Sequence, residues 1–188
     1  HIAGTHIWDP ETGESNLPAI RRELAGLPVA VVALSQWQQG LLIPERNPKH
    51  IPGVMDLARS DLSIANREPG SGPRSLHDRH LVRAGLRPEW VAGHDRLRHS
   101  HADIAAAVRD GLADAGPGIL ATARACGLGF IPLQEERYDL VVPRTFLSTG
   151  PVQTLLDAAT GRRYRRELDA LGGYDSSPAG TLVAELGP

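Results

Sequence analysis

The sequence predicts an α/β protein. "VAVVAL" (29–34), "LSIAN" (62–66), "LGFIPL" (128–133) and "YDLVVP" (138–143) are strand candidates, several of them continuously apolar as strands covered on both faces tend to be. Segments with helical periodicity and recognisable caps lie between them. Strands and helices alternating at this spacing form layered α/β structures. With 188 residues and 41% hydrophobic content, the chain can fill one good core or two small lobes.

Taken in order, "GLLIP" (40–44) follows "VAVVAL" as a second apolar strand, and "ADAGPGI" (113–119) precedes "LGFIPL". "SHADIAAAVRDGLADAG" reads as a helix: Ser100 and Asp103 have capping-box spacing, Ile104, Val108 and Leu112 recur every four residues, and Gly111 marks the fraying end. "PVQTLLDAATGRRYRRELDALGG" supplies one or two helices, with Tyr164, Leu168 and Leu171 on one side and Gly172 as carboxyl cap. Cys126 is the sole cysteine and sits in the apolar helical run "GILATARACGLGF", which predicts a buried, inert thiol and no internal disulfide.

Twenty Lys and Arg against 22 Asp and Glu leave a formal net charge of -2. That balance gives no electrostatic footprint for direct nucleic-acid or membrane binding, so a charged binding surface has to be local. No signal-peptide pattern leads the sequence, and no apolar run approaches the ~18 residues that span a bilayer. A cytoplasmic location is the corresponding expectation.

The most informative stretch is "NREPGSGPRS" (66–75), between "LSIAN" and the helical "PRSLHDRHLVRAG". Strand, glycine-rich loop and helix follow one another, with Gly72 expected as the cap and Pro73 in the first turn, where its missing N–H is no loss. Gly70 and Gly72 let the backbone approach a ligand, Ser71 adds a hydroxyl, and the N–H groups of Arg74 and Ser75 face the loop at the positive helix end. Arg67 or Arg74 can close on the other side with a planar, bidentate donor. The stretch reads as an anion seat or as a simple turn. "GSGPRS" lacks the lysine of a nucleotide loop, and Ser75 stands where the dinucleotide fingerprint needs its last glycine.

Other clusters carry less. His94, His99 and His101 with Asp95 and Asp103 match no compact metal spacing. Glu11 and Glu14 flank Gly13 in a turn, not on the rigid element that paired catalytic carboxylates need. Ser71 has no G-x-S-x-G setting. Arg162, Arg163, Arg165 and Arg166 read as a solvated basic face. No catalytic residue, metal ligand or cofactor is implied.

"NREPGSGPR", "ADAGPGILATARACGLGFIPLQEERYDLVVP", "LGGYDSSPAG", "AGTHIWDPETGESN" and "QGLLIPERNPKHIPGVMDLA" together make the chain resemble the periplasmic-binding-protein-like (PBP-like) domains linked to molybdenum metabolism. The resemblance covers nearly the whole chain. In that family the domain is found fused to helix-turn-helix regulators or to molybdopterin molybdenumtransferases. The resemblance implies a type II periplasmic-binding fold: two α/β lobes joined by crossing strands that close on a small ligand. Residues 1–38 would begin lobe 1, 39–136 would form lobe 2, and 137–188 would return to lobe 1, which is expected to be incomplete at its amino end. "VAVVALSQWQQGLLIP" and "EERYDLVVP" would be the crossings.

By the family pattern, Asn66, Arg67, Ser71, Gly72 and Arg74 would bind ligand from lobe 2 and Thr12, Glu14 and Asn16 from lobe 1, with Tyr138 and Tyr174 near the junction. The family usually has Thr where this chain has Pro73, which removes one hydroxyl and one N–H. The implied function is non-enzymatic sensing of a small anion, such as molybdate, tungstate or a molybdopterin-related compound, in a regulatory protein with an attached domain. The alternatives are an accessory domain of a molybdenum cofactor biosynthesis enzyme and the solute receptor of a transporter.

Overall fold

Val29–Ile43 forms one strand, β2, whose two apolar ends are both buried. Alternate side chains of a strand point to opposite faces. Leu41 and Ile43 accordingly join Ile51, Leu57, Leu62, Ile64, Leu81 and Val91 in one core cluster, whereas Leu42 joins Ala65, Ile104, Ala105, Val108 and Ala123 in another. Both faces of this half of the strand are covered, which is why its sequence is continuously apolar instead of alternating. Each fully buried Leu or Ile contributes about 1.5–3 kcal/mol relative to exposure.

The computed structural model describes residues 1–187, in two compact units. One comprises His1–Trp37 and the chain from Glu135 on; the other is Gln38–Gln134. In order, the elements are β1 (Ala3–Thr5), α1 (Leu17–Glu23), β2, β3 (Asn66–Arg67), α2 (Gly72–Arg83), β4 (Leu97–Arg98), α3 (His101–Arg109), β5 (Gly116–Ile119), α4 (Leu120–Ala125), β6 (Gly129–Pro143), α5 (Arg144–Leu147), α6 (Gly150–Thr160), α7 (Arg162–Leu171), β7 (Tyr174–Asp175) and β8 (Leu182–Leu186). Short 3-10 turns occur at Val54–Ala58 and Pro88–Trp90.

The chain passes from one unit to the other within β2 and again within β6. In the first unit, β1 pairs antiparallel with β6, β7 and β8 pair antiparallel with β2, and Ile20, Val29, Val31 and Val141 form the core. In the second unit, β5 lies antiparallel to β2 with Gly40 opposite Gly118. β3 and β4 form a separate parallel pair.

Several elements differ from the sequence reading. "VAVVAL" and "GLLIP" are two ends of β2, and "LGFIPL" and "YDLVVP" are two ends of β6, because the polar middles stay extended and paired in the sheet. "LSIAN" contracts to β3: the N–H of Ile64 donates to Ala92 and that of Ala65 to Ala115, so its backbone bonds are divided between two neighbours. α3 stops at Arg109 and Gly111 turns the chain with φ +72°, leaving Leu112 63% exposed. Leu171, at the end of α7, is 61% exposed. Cys126 is only partly buried, because α4 ends at Ala125 and Cys126 is its C-cap residue, packed at the edge of a core cluster.

Candidate ligand-binding site

The second unit places the "NREPGSGPRS" segment where α2 begins. Gly70 has φ +86°, a conformation that costs other L-residues about 1–2 kcal/mol. The turn it makes delivers Ser71 in extended conformation as the N-cap, with Gly72 as the first helical residue and the buried Pro73 as the second. This moves the expected cap by one residue, from Gly72 to Ser71. The donors move as well: the N–H of Ser75 is used by the carbonyl of Ser71 at 3.0 Å, so the first-turn N–H groups without an acceptor among the described residues are those of Gly72 and Arg74. A Cβ built on Gly72 would meet nothing within 4 Å, so the backbone is open there.

The chain contains its own control for this cap. At α3, Ser100 Oγ accepts from the N–H of Asp103 at 3.0 Å, the ordinary N-cap bond. At α2 the equivalent bond, from the N–H of Arg74 to Ser71 Oγ, is not made. Ser71 Oγ is buried without a partner among the described residues. Leaving a buried hydroxyl unpaired costs about 1–3 kcal/mol. A hydroxyl and two N–H donors are thus all unspent at the positive end of a 12-residue helix.

The two arginines are engaged within the unit. Arg67 pairs with Glu68 through Nε and Nη2 at 2.9 and 2.8 Å, and this bidentate contact holds the Glu68 carboxyl at about 2. Arg74 donates from Nη1 to the Arg67 carbonyl at 3.0 Å, lies 3.5 Å from Asp78 Oδ2, and brings Nη2 within 3.4 Å of both ring nitrogens of His94. His94 Nε2 is 3.1 Å from Asp78 Oδ1, and the fully buried His77 is 3.7 Å from the same oxygen. Burial pushes the Asp78 carboxyl up, but its contacts with His77 and His94 outweigh that and hold it below the usual range. Asn66 is buried and structural: its Nδ2 donates to the His94 carbonyl at 3.2 Å and its Oδ1 accepts from the Arg67 N–H.

Sequence reasoning did not find Asp78 or His94 as partners of Arg74, nor His77 beside Asp78. The i,i+4 spacing of Arg74 and Asp78 was a usable signal. Nothing local ties in His94, sixteen positions beyond Asp78.

The first unit treats its expected ligand residues differently. Asn16 is fully buried and its side chain is spent internally: Oδ1 accepts from the Ile7 N–H at 2.7 Å and from Thr5 Oγ1 at 3.2 Å, and Nδ2 donates to the Arg137 carbonyl at 3.0 Å and to Asp139 Oδ2 at 2.7 Å. It fastens the amino-terminal segment to β6. Thr12 and Glu14 are exposed in the turn closed by the Asp9 N–H on the Glu14 carbonyl at 3.0 Å; Thr12 Oγ1 accepts from the Glu14 N–H, and Glu14 faces Arg21 at 3.4 Å. Tyr138 and Tyr174 belong to an aromatic group with His6 and Trp37, with ring centroids 5.5–6.1 Å apart, in which Trp37 and Tyr174 are cross-strand partners. The Tyr138 hydroxyl lies over Gly4, where any Cβ would collide with it. Beside them His6 stands 3.7 Å from the buried Glu136, and that pairing raises the imidazole above its ordinary range.

Among the described residues no group of three or more His, Cys, Asp or Glu side chains is arranged to hold a metal ion, and no helix is long and apolar enough to cross a membrane.

A profile of the PBP superfamily domain matches residues 1–160. The chain belongs to this family. It is 35% identical over 184 residues to YvgK, an uncharacterised protein of Bacillus subtilis (strain 168), an alignment that takes in 98% of this chain and 59% of YvgK. The chain therefore spans about three fifths of that relative's length. Among solved structures it superposes on the substrate-binding domain of a candidate molybdenum ABC transporter from Clostridium difficile with a TM-score of 0.59 at 16% identity, covering 84% of this chain and 72% of that one. A candidate phosphate ABC transporter substrate-binding protein from Clostridium perfringens, solved with bound phosphate, gives a TM-score of 0.60 at 12% identity over 93% of this chain and 78% of the other. At such identities the likeness concerns the fold: two α/β lobes linked by crossing strands.

Proposed function

We propose that the chain is the ligand-binding part of a solute receptor for a small oxyanion, and that the start of α2 supplies the seat. The observation that carries this reading is the unmade cap: Ser71 Oγ is buried and unpaired beside the unspent N–H groups of Gly72 and Arg74, whereas Ser100 closes its cap in the same chain. An oxyanion accepts from all three donors at once, satisfies the hydroxyl and sits at the positive helix end. Arg74 and Arg67 exchange part of their internal pairing for charge-assisted bonds to it. Pro73 leaves the first turn with two N–H donors, which suits a tetrahedral anion held jointly by backbone and side chains.

The fold likeness to substrate-binding proteins of molybdenum and phosphate transporters supports a receptor ahead of a regulatory sensor or a cofactor-synthesis accessory domain. Molybdate and tungstate are the first ligands to try, with sulfate and phosphate as the closest chemical competitors. Calorimetric titration of the full-length protein with these four anions tests the reading. Saturable binding of at least one is expected. A well-desolvated charged hydrogen bond contributes roughly 1.5–3 kcal/mol, so Arg74→Ala weakens the binding about ten-fold or more. Binding of an uncharged metabolite while all four anions fail, or binding unchanged by the combined Arg67→Ala, Ser71→Ala and Arg74→Ala substitutions, overturns the assignment.

A further inference from the structure

We infer that Glu68 is a built-in stand-in for the anion: its carboxylate occupies the donor edge of Arg67 that a bound oxyanion takes over, and so sets the concentration at which the seat fills. This role rests on the anion seat proposed above and gives it an affinity-determining residue.

Arg67 presents Nε and Nη2 to the two carboxylate oxygens of Glu68 at 2.9 and 2.8 Å, the paired, planar geometry in which a guanidinium also takes an oxyanion. One edge of the fork cannot serve both. The pair stands on the two residues whose carbonyls frame the seat. The Glu68 carbonyl accepts from the N–H of Ser71 at 3.2 Å, and the Arg67 carbonyl accepts from Arg74 Nη1 at 3.0 Å. Glu68 and Ser71 are thus the first and last residues of one tight turn, with Pro69 and the Gly70 of φ +86° at its centre. The carboxylate that engages Arg67 and the hydroxyl without a partner belong to the same four residues.

Burial decides which member of the pair can let go. The Arg67 side chain is 12% exposed and that of Glu68 is 36% exposed. A guanidinium so far from water needs an anion beside it, whereas a carboxylate at the surface is rehydrated on release. Without ligand, Glu68 supplies that anion. A bound oxyanion supplies it instead, and also accepts from Ser71 Oγ and from the N–H groups of Gly72 and Arg74, which Glu68 leaves unsatisfied. The bond from Arg67 holds the Glu68 carboxyl at about 2, so the competitor stays charged through neutral and mildly acidic pH.

The test is calorimetric titration of the full-length protein with sulfate. Glu68→Gln keeps the size of the side chain and one acceptor oxygen but removes the charge, and is expected to bind sulfate about ten-fold more tightly than the wild type. Loss of any nearby negative charge also favours an anion, and Arg67→Ala separates the two causes. In that background Glu68→Gln is expected to change sulfate affinity by less than about three-fold, because the competition acts through Arg67. A full gain that persists without Arg67 overturns the inference. The Arg67 Nε–H resonance of the wild type gives a second readout, and is expected to move in step with sulfate occupancy as one acceptor replaces another. Sulfate binding that leaves this resonance in place, or that is equally tight in the wild type and Glu68→Gln, refutes the stand-in and leaves the seat. No sulfate binding in either protein refutes the seat and the stand-in with it.

Discussion

Asn16 donates from Nδ2 to Asp139 Oδ2 at 2.7 Å, a bond between two fully buried side chains 123 positions apart in the chain. Asp139 is also held by Arg137 at 2.7 and 2.9 Å, and Asn16 by Ile7, Thr5 and the Arg137 carbonyl. The amide uses both its donors and its acceptor, and adds to the β1–β6 ladder in fastening the amino-terminal segment to β6.

Asn16→Ala removes all the bonds made by the Asn16 amide, leaves a buried carboxylate with one partner fewer, and puts alanine at φ +62°. A loss of about 3 kcal/mol or more is expected in urea unfolding, since unpaired buried groups cost about 1–3 kcal/mol each and charged ones more. Anion affinity of the folded variant stays within about two-fold, because no bond to a ligand is lost. A loss of stability below about 1 kcal/mol contradicts this role.

The two cap serines give an internal comparison. Ser100→Ala deletes a formed N-cap bond and is expected to cost about 1 kcal/mol. Ser71→Ala deletes a hydroxyl that is buried without a partner, so in anion-free buffer it is expected to be neutral or stabilising, and to weaken anion binding. Equal destabilisation by the two substitutions contradicts the open-cap reading.

The difference between these serines shows how much of the site was legible in the sequence. The strand–loop–helix order, the glycine turn and the proline in the first helical turn all follow from local backbone chemistry, and the structure contains them. So does the Ser100 cap, which depends on residues three apart. The shift of the α2 cap to Ser71 was not legible, because it depends on the turn set by Gly70 at φ +86°. The internal bonds of Asn16 depend on Asp139, and the Arg74 network on His94; no periodicity brings such distant residues together. Leu112 and Leu171 fit a helical stripe, but Leu112 lies beyond the end of α3 and Leu171 is the last residue of α7, a helix with no buried residue, so both stay exposed.

His6 carries a pH dependence in the first unit. Its pairing with Glu136 raises the folded-state pKa above the ordinary imidazole value of about 6.5, so the stabilisation is fully present below about that pH and is lost as the pH rises through the folded value. About half of the side chain is exposed, so solvent screening keeps the effect small. Urea midpoints of the wild type and His6→Gln, compared from about pH 5 to 8, are expected to converge as the pH rises. A constant difference across that range contradicts the pairing.

The most direct test of the anion seat is a crystal of the full-length protein grown with tungstate, read by the anomalous signal of tungsten. Tungstate oxygens are expected at ~2.7–3.2 Å from Ser71 Oγ and from the backbone nitrogens of Gly72 and Arg74, with the Arg74 guanidinium turned toward them. A tungsten peak bound elsewhere in the protein, with the start of α2 ordered and its three donors still unpaired, contradicts the account.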